Sequence, residues 1–400
     1  PISEQISEIY NIPITTYPTA ELLRDQLEFN ILGQIPDNEY LVILLDSIDQ
    51  LHSDAYNCKW LPKQFPPNIK CIVSTLPDHE NIYENLQNIL NQDGKKSHLF
   101  INVLPFDAAS VEIVYDDWLK MKKRSLSDDQ RLFIKKFMLG KKEILPLFMK
   151  LVFDLISVWH SYDPIDERLS QLNKVDDCIR YLFHRLEIRH HKLLFSRALC
   201  YMTACRSGIS QNELEDVLSL DDDVLRSVFQ HYIPPVRRLP GILWTRIRND
   251  LDEYLTEKEV DDAPVIYWYH RRFIEVAREL YVQNLSSDDR KFVFQNMVDL
   301  FKETWKGKNK PFKINDPKLV QKYKLDELNG EIQANRFTTS QPVEFIDTDG
   351  HIQYNKRKIN ELPKFLSKLA ADIAIPIAAA EIIFNYTFMR MYNNLFKSYK

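Results

Sequence analysis

Leu41-Val-Ile-Leu-Leu-Asp46-Ser-Ile-Asp49-Gln50 sets an unbroken apolar run against two carboxylates three residues apart. A run that is continuously apolar, with no alternation, predicts a strand covered by helices on both faces. Ile69 to Val73 and Leu99 to Leu104 are two further short, mainly apolar runs, with helical stretches expected at Glu21 to Leu32 and Asn81 to Leu90. This spacing suits parallel strands joined by crossovers. In open α/β sheets ligands bind beyond the carboxyl ends of the strands. Asp46 is therefore placed for a Mg²⁺-bound water, with Asp49 beside it, and the next strand ends in Ser74-Thr75, hydroxyls that could sense a terminal phosphate. A plainer role for Asp46 or Ser47, capping a helical turn after the strand, fits the same spacing.

The chain has 400 residues, 44% of them hydrophobic and 27% charged, enough for two or three domains with substantial cores. Only eight are glycine, and the closest two lie 20 residues apart. No GxGxxG, GxxxxGK[ST] or GxSxG can be written within these residues, which excludes from them a Rossmann fingerprint, a P-loop and a nucleophile elbow. The net charge of −5 gives no whole-chain basic field toward nucleic acid or anionic lipid. Five cysteines without a CxxC read as reduced thiols and point to a cytoplasmic setting. The first residues carry no signal-peptide pattern. The longest apolar stretch, Leu369 to Phe384, contains Asp372, Pro376 and Glu381, so no membrane span is expected.

Beyond Asp107 the pattern turns helical. Ser127-Asp-Asp-Gln130 reads as a capping box, and Pro146 suits the first turn of a helix running to about Trp159. After Pro164, helices are expected near Val175 to Ile188 and Leu193 to Met202, then one capped by Ser210-Gln-Asn-Glu213 and another over Asp221 to Phe229. The segment Leu239 to Leu255, a β-like stretch over Val265 to Tyr269 and a helix from about His270 to Tyr281 complete a winged-helix outline. A long helix from Ser286, a lysine-rich loop (Lys306, Lys308, Lys310, Lys313), a strand-like region over Phe337 to Tyr354 and terminal helices follow.

An apolar strand ending Asp46-Ser-Ile-Asp49 resembles the Walker B segment of NACHT-type signalling NTPases, and Ser74-Thr75 resembles their sensor 1. Leu44-Leu-Asp-Ser-Ile-Asp-Gln-Leu51, Trp60 to Lys63 and Val73 to Pro77 are similar to the NACHT and WD-repeat domain-containing family, relatives of telomerase protein component one. Further similarity lies in Leu145-Pro146-Leu147, Leu239 to Leu251, Trp268 to Phe273, Asn309 to Phe312 and Ile359 to Leu366, so it covers nearly the whole chain.

The resemblance implies a mixed α/β and α fold in four parts: residues 1–105 as the distal part of a parallel-sheet nucleotide-binding domain, 106–162 as a helical lid, 163–285 as linker helices and winged helix, and 286–400 as a helical region leading to downstream repeats. It also implies an ATP/ADP switch with Mg²⁺ at Asp46, Asp49 as the catalytic carboxylate, Ser74 and Thr75 near phosphate, Pro146 on the adenine base and His270 on the β-phosphate of ADP. The expected partners are other NACHT-domain protomers and further proteins. Gln50 stands where family members often have an acid, and Leu76 where they often have arginine, so slow hydrolysis at most is expected. The family's P-loop lies upstream of the point at which this sequence begins, so the chain is expected to be a fragment.

Two rival readings stand beside this one. The first is a non-catalytic interaction scaffold on a degenerate nucleotide fold. The second is a DNA-binding winged helix using Arg237, Arg238, Arg246, Arg248, Arg271 and Arg272. Against it, Glu213, Glu215, Asp216 and Asp221 to Asp223 would repel a duplex, so no nucleic-acid partner is expected.

Overall fold

Two parallel strands, β1 (Leu41–Leu45) and β2 (Ile69–Val73), pair in register from Leu41 opposite Ile69 to Leu45 opposite Val73. They belong to the first of two units in a computed structural model, residues 1–104, the second being 105–400. All residues are described except 1, 16–18, 77–79, 91–98, 326–329, 347–349 and 374–400. In the first unit α1 (Ile2–Tyr10), α2 (Ala20–Asp25) with its π and 3₁₀ continuation to Gln34, and α3 (Ile82–Leu90) accompany the strands. Ile6, Leu27, Ile31 and Leu32 pack toward one core that includes Ile69, while Ile48, Cys58, Leu61, Ile82 and Leu86 form another.

Two expectations for this unit are corrected. The strands are covered on one face: Leu41, Ile43 and Leu45 turn inward, whereas Val42 and Leu44 are 54% and 69% exposed and Ile72 is 58% exposed. No helix among the described residues lies over that second face, so an unbroken apolar run here does not mean two-sided burial. Leu99 to Leu104 forms no strand, and Leu99, Ile101 and Val103 are each at least 75% exposed. A strand needs a neighbour's free backbone groups as well as apolar side chains, and among the described residues no strand pairs with this segment.

The second unit begins with α4 (Ala108–Met121), α5 (Asp128–Leu139) and α6 (Pro146–Ser157). The Ser127–Gln130 capping box closes in both directions, and Pro146 occupies the first turn of α6, where its missing N–H costs no hydrogen bond. Helices α7 (Val175–Arg189), α8 (Lys192–Ala204), α9 (Gln211–Leu220), α10 (Asp222–Val228) and α11 (Gly241–Leu251) follow. The hairpin β3 (Leu255–Val260) and β4 (Ala263–Trp268) then forms a wing, closed by Asp261 and Asp262 at φ 55° and 60°. Two successive positive φ values make the tight turn that matches strand twist. The segment 239–255 holds α11 and a 3₁₀ turn over Asp252–Tyr254, and β3 begins at its last residue.

Helix α12 (Arg271–Arg278) returns from the wing, and α13 (Ser287–Phe301) leads to the short pair β5 (Phe312–Lys313) and β6 (Glu331–Ile332), with α14 (Pro317–Lys322) between them. The hairpin β7 (Glu344–Ile346) and β8 (Ile352–Tyr354) precedes α15 (Lys356–Ile373). The expected terminal helices are described only to residue 373, and most of Leu369 to Phe384 lies outside the described residues, as does Pro77. Among the described residues no helix is long and apolar enough to cross a membrane. The architecture is mixed α/β, mostly helical, with four two-stranded sheets described.

Residues after 300 are bound into the winged-helix core by buried charges. Arg357 and Glu213 pair at 2.8 Å with side chains only 4% and 8% exposed, and the same guanidinium donates to the Gly208 carbonyl at 3.0 Å. Gly208 sits at φ +101°, and a Cβ there would lie 2.4 Å from the Ile266 carbonyl oxygen. Arg336, with no exposed surface, donates to the carbonyls of Lys310, Leu220 and Pro311 and pairs with Asp222.

Glu303, at the end of α13, accepts from the Gln341 N–H at 2.8 Å and pairs with Lys306 and Lys358. Burial alone would raise its pKa, but these three donors outweigh burial and hold the carboxyl at about 2, below its ordinary 4.5. A depressed carboxylate stabilises the fold fully above the unfolded pKa, and that contribution is lost as pH falls through the folded value. Stability of the parent should therefore drop between about pH 4.5 and 2 more steeply than that of Glu303→Gln, as urea midpoints across that window would register. Coincident pH profiles for the two proteins would contradict this role.

Candidate functional site

The carboxyl ends of β1 and β2 emerge side by side because Leu45 and Val73 are paired in the ladder. The Ser74 hydroxyl donates to Asp46 Oδ1 at 2.5 Å and accepts from the Ser47 N–H at 2.7 Å, while the Ser74 N–H donates to the Leu45 carbonyl at 2.9 Å. Ser47 takes φ 55°, a left-handed turn that swings the chain away from the strand and leaves Asp46 exposed. Asp46 and Ser74 are thus directly bonded at an open sheet edge. Asp46 Oδ2 accepts no hydrogen bond among the described residues, so the carboxylate can still hold a water on a hydrated cation.

Thr75 and Asp49 are placed differently. The Thr75 hydroxyl makes only a long 3.4 Å contact with the Leu76 carbonyl. Asp49 is 6% exposed in the turn Ile48–Gln50, and its carbonyl accepts from the Tyr56 hydroxyl at 3.2 Å. No cluster of three or more His, Cys, Asp or Glu placed to hold a metal occurs among the described residues. A Mg²⁺ ion here would rest on Asp46, with waters and ligand phosphate supplying other positions, the usual manner for this cation.

In the second unit, Pro146 is exposed at the start of α6, and His270 caps α12. His270 Nδ1 accepts the Arg272 N–H at 3.1 Å, which requires an unprotonated Nδ1 and so places the proton of the neutral ring on Nε2. Partial burial, then the neighbouring Arg271 and Arg272 charges, push its pKa below the ordinary histidine value. The ring is therefore a neutral N–H donor near pH 7, suited to an anionic oxygen.

The elements carrying Pro146 and His270 meet through residues that sequence reasoning missed. Lys150 and Asp154, one and two turns beyond Pro146, pair at 2.6 Å. Lys150 also pairs with Glu253, Lys122 reaches Glu253 at 3.4 Å, and the Tyr254 hydroxyl donates to Asp154 at 2.7 Å. The Tyr254 carbonyl accepts the Tyr269 N–H at 3.1 Å, and the Tyr254 ring stacks on Phe273 at 5.0 Å. The signal available in sequence was a Lys and an Asp four residues apart on one face of the otherwise apolar helix Leu147 to Ser157.

Most arginines of the DNA-binding alternative are engaged inside the fold. Arg238 pairs with Asp216, Arg248 with Glu257, Arg271 and Arg272 with Glu275, and Arg237 donates to the Gln333 carbonyl. Lys310 of the lysine-rich loop donates to the Leu220 carbonyl at 2.7 Å.

Residues 164–287 match the family model described as an NWD1-like, winged helix-turn-helix domain. This match covers the winged-helix part of the second unit. Human NACHT and WD repeat domain-containing protein 2 is 29% identical over 323 residues, 80% of this chain and 18% of that protein. Human NACHT domain- and WD repeat-containing protein 1 is 31% identical over 336 residues, 82% of this chain and 20% of that protein. Mouse telomerase protein component 1 is 22% identical over 225 residues, 54% of this chain and 8% of that protein. The chain is a homologue of the NACHT and WD repeat domain-containing proteins. It spans about a fifth of the length of the NACHT and WD-repeat relatives it matches. No solved structure matches it significantly.

Proposed function

We propose that this chain is part of a NACHT-type molecular switch that binds ATP or ADP with Mg²⁺ and controls conformation and assembly with other NACHT-domain protomers in the cytoplasm. The observation that carries the reading is the Ser74–Asp46 bond at paired parallel strand ends, in a homologue of NACHT proteins. Asp46 would hold a water on the metal and Ser74 would orient the carboxylate. Residues 1–105 would be the distal part of the nucleotide-binding sheet, and 106–162 the lid. In the second unit, Pro146 would offer an apolar contact to adenine and His270 Nε2–H a donor to phosphate.

Hydrolysis would be slow or absent. Gln50 follows Asp49 where an acid would help to activate water, and Asp49 itself is buried. That burial also favours the second reading, a non-catalytic protein-interaction scaffold in which the nucleotide fold is degenerate.

The test uses full-length protein purified gently in Mg²⁺ and analysed for bound adenine nucleotide by chromatography. Retention is expected in the parent, with Asp46→Asn reducing Mg-dependent affinity by roughly 10–100-fold while the melting temperature is unchanged, as loss of an outer-sphere metal partner should. Equal retention by both proteins would remove Asp46 from the metal site. No nucleotide in the parent, and an oligomeric state indifferent to ATP and ADP, would leave the scaffold.

A further inference from the structure

On the winged-helix unit a cleft of about 610 Å³ opens between the end of α10 and the segment carrying β5 and α14. Its floor is apolar: Phe229, Ile233, Phe312, Ile314 and Leu319 are each 7% exposed or less. Its rim carries Arg226, Lys318, Lys322 and His231, with Asp316 the one lining carboxylate among the described residues; Arg226 pairs with Asp223, so the exposed Lys318 and Lys322 carry the available positive charge. Asp316 is already committed to capping α14 through the Lys318 N–H at 2.8 Å. With Asp223 and Asp316 set against Arg226, Lys318 and Lys322, the rim keeps about one positive charge, at the exposed lysines of α14, on a chain whose formal net charge is −5. Gln230 and Asn315 add amides able to meet an extended backbone.

The walls are held by contacts distant in sequence. The Ile233 N–H donates to the Tyr323 hydroxyl at 3.1 Å, and the Ile314 N–H to the Gly330 carbonyl at 2.9 Å. Gly330 stands at φ +74°, and a Cβ there would meet the Ile314 carbonyl oxygen at 2.3 Å, so the backbone approach is specific to glycine. A cleft held in this way needs little ordering to bind.

We propose that this cleft docks an acidic peptide segment of a partner protein, which inserts one large apolar side chain onto the floor while its carboxylates meet the lysine rim. Charge complementarity selects an acidic occupant. The floor selects a side chain over a nucleobase, because Phe229 and Phe312 pack edge to face at 83° and spend their ring surfaces on each other, leaving no open platform for stacking. The docking requires no nucleotide, so it stands apart from the switch.

The experiment is fluorescence anisotropy on the 400-residue chain, with a labelled peptide in which phenylalanine and leucine are flanked on both sides by glutamates. Saturable binding is expected, weakening with added salt as rim charges are screened. Lys318→Glu combined with Lys322→Glu should raise Kd at least about tenfold. Both side chains are exposed, so the melting temperature should stay at the parent value, and the milder Lys→Gln pair should fall between. Replacing the peptide's phenylalanine and leucine by glycines should cost about tenfold as well. Absence of saturable binding, an unchanged Kd in the charge-reversed chain, or displacement by a single-stranded oligonucleotide at equal or lower concentration would each overturn the proposal.

Discussion

Arg357→Met should destabilise the second unit by about 3–5 kcal/mol, the cost of stripping one partner from a buried ion pair. The expectation rests on what remains. Glu213, 7% exposed, would keep only the Ser210 N–H at 2.9 Å from its capping box, having lost both guanidinium bonds, and Glu361, 1% exposed, lies in the same electrostatic neighbourhood. The Gly208 carbonyl would lose its donor too, at the position where a left-handed backbone brings α9 against the wing. Denaturant midpoints give the measurement. Adding Glu213→Gln to the methionine variant should recover part of the loss, because a neutral amide at this site no longer demands a counter-charge. A single variant within about 1 kcal/mol of the parent would show that the pair is not the tie described.

Arg336→Met should cost a similar amount, about 3–5 kcal/mol, for a different reason. Here one wholly buried guanidinium serves acceptors on two separate segments: Leu220 and Asp222 at the α9–α10 junction, and Lys310 and Pro311 ahead of β5. Arg336→Lys should rescue little, since one ammonium cannot span acceptors that a planar fork reaches from both sides. Hydrogen exchange should show early opening of residues 309–338 while the hairpin of β3 and β4 keeps its protection. Stability restored by lysine, or uniform loss of protection, would refute the bridging role.

These two arginines show why part of the fold was legible and part was not. The bounds of β1 and β2 follow from their apolar runs, and the capping boxes at Ser127 and Ser210 follow from partners three residues away. The pairing of Asp46 with Ser74 was foreshadowed by two polar strand ends in parallel register. In contrast, β3 is written Leu-Thr-Glu-Lys-Glu-Val, polar on both sides, and becomes a strand because β4 completes its backbone bonds. Tertiary pairing overrides a weak local pattern.

Local chemistry alone determined the reduced thiol count, the want of closely spaced glycines, the helix starts and the winged-helix outline, because each depends on residues within a few positions of one another. Tertiary structure decided which strand face is buried, that Leu99 to Leu104 stays unpaired, and that Lys150, Asp154 and Glu253 join the elements of Pro146 and His270. It also decided that Arg336 and Arg357 reach back 114 and 144 residues to their carboxylates. Such pairs carry no sequence period, since a buried charge is tolerable wherever the fold brings a partner to it and nowhere else.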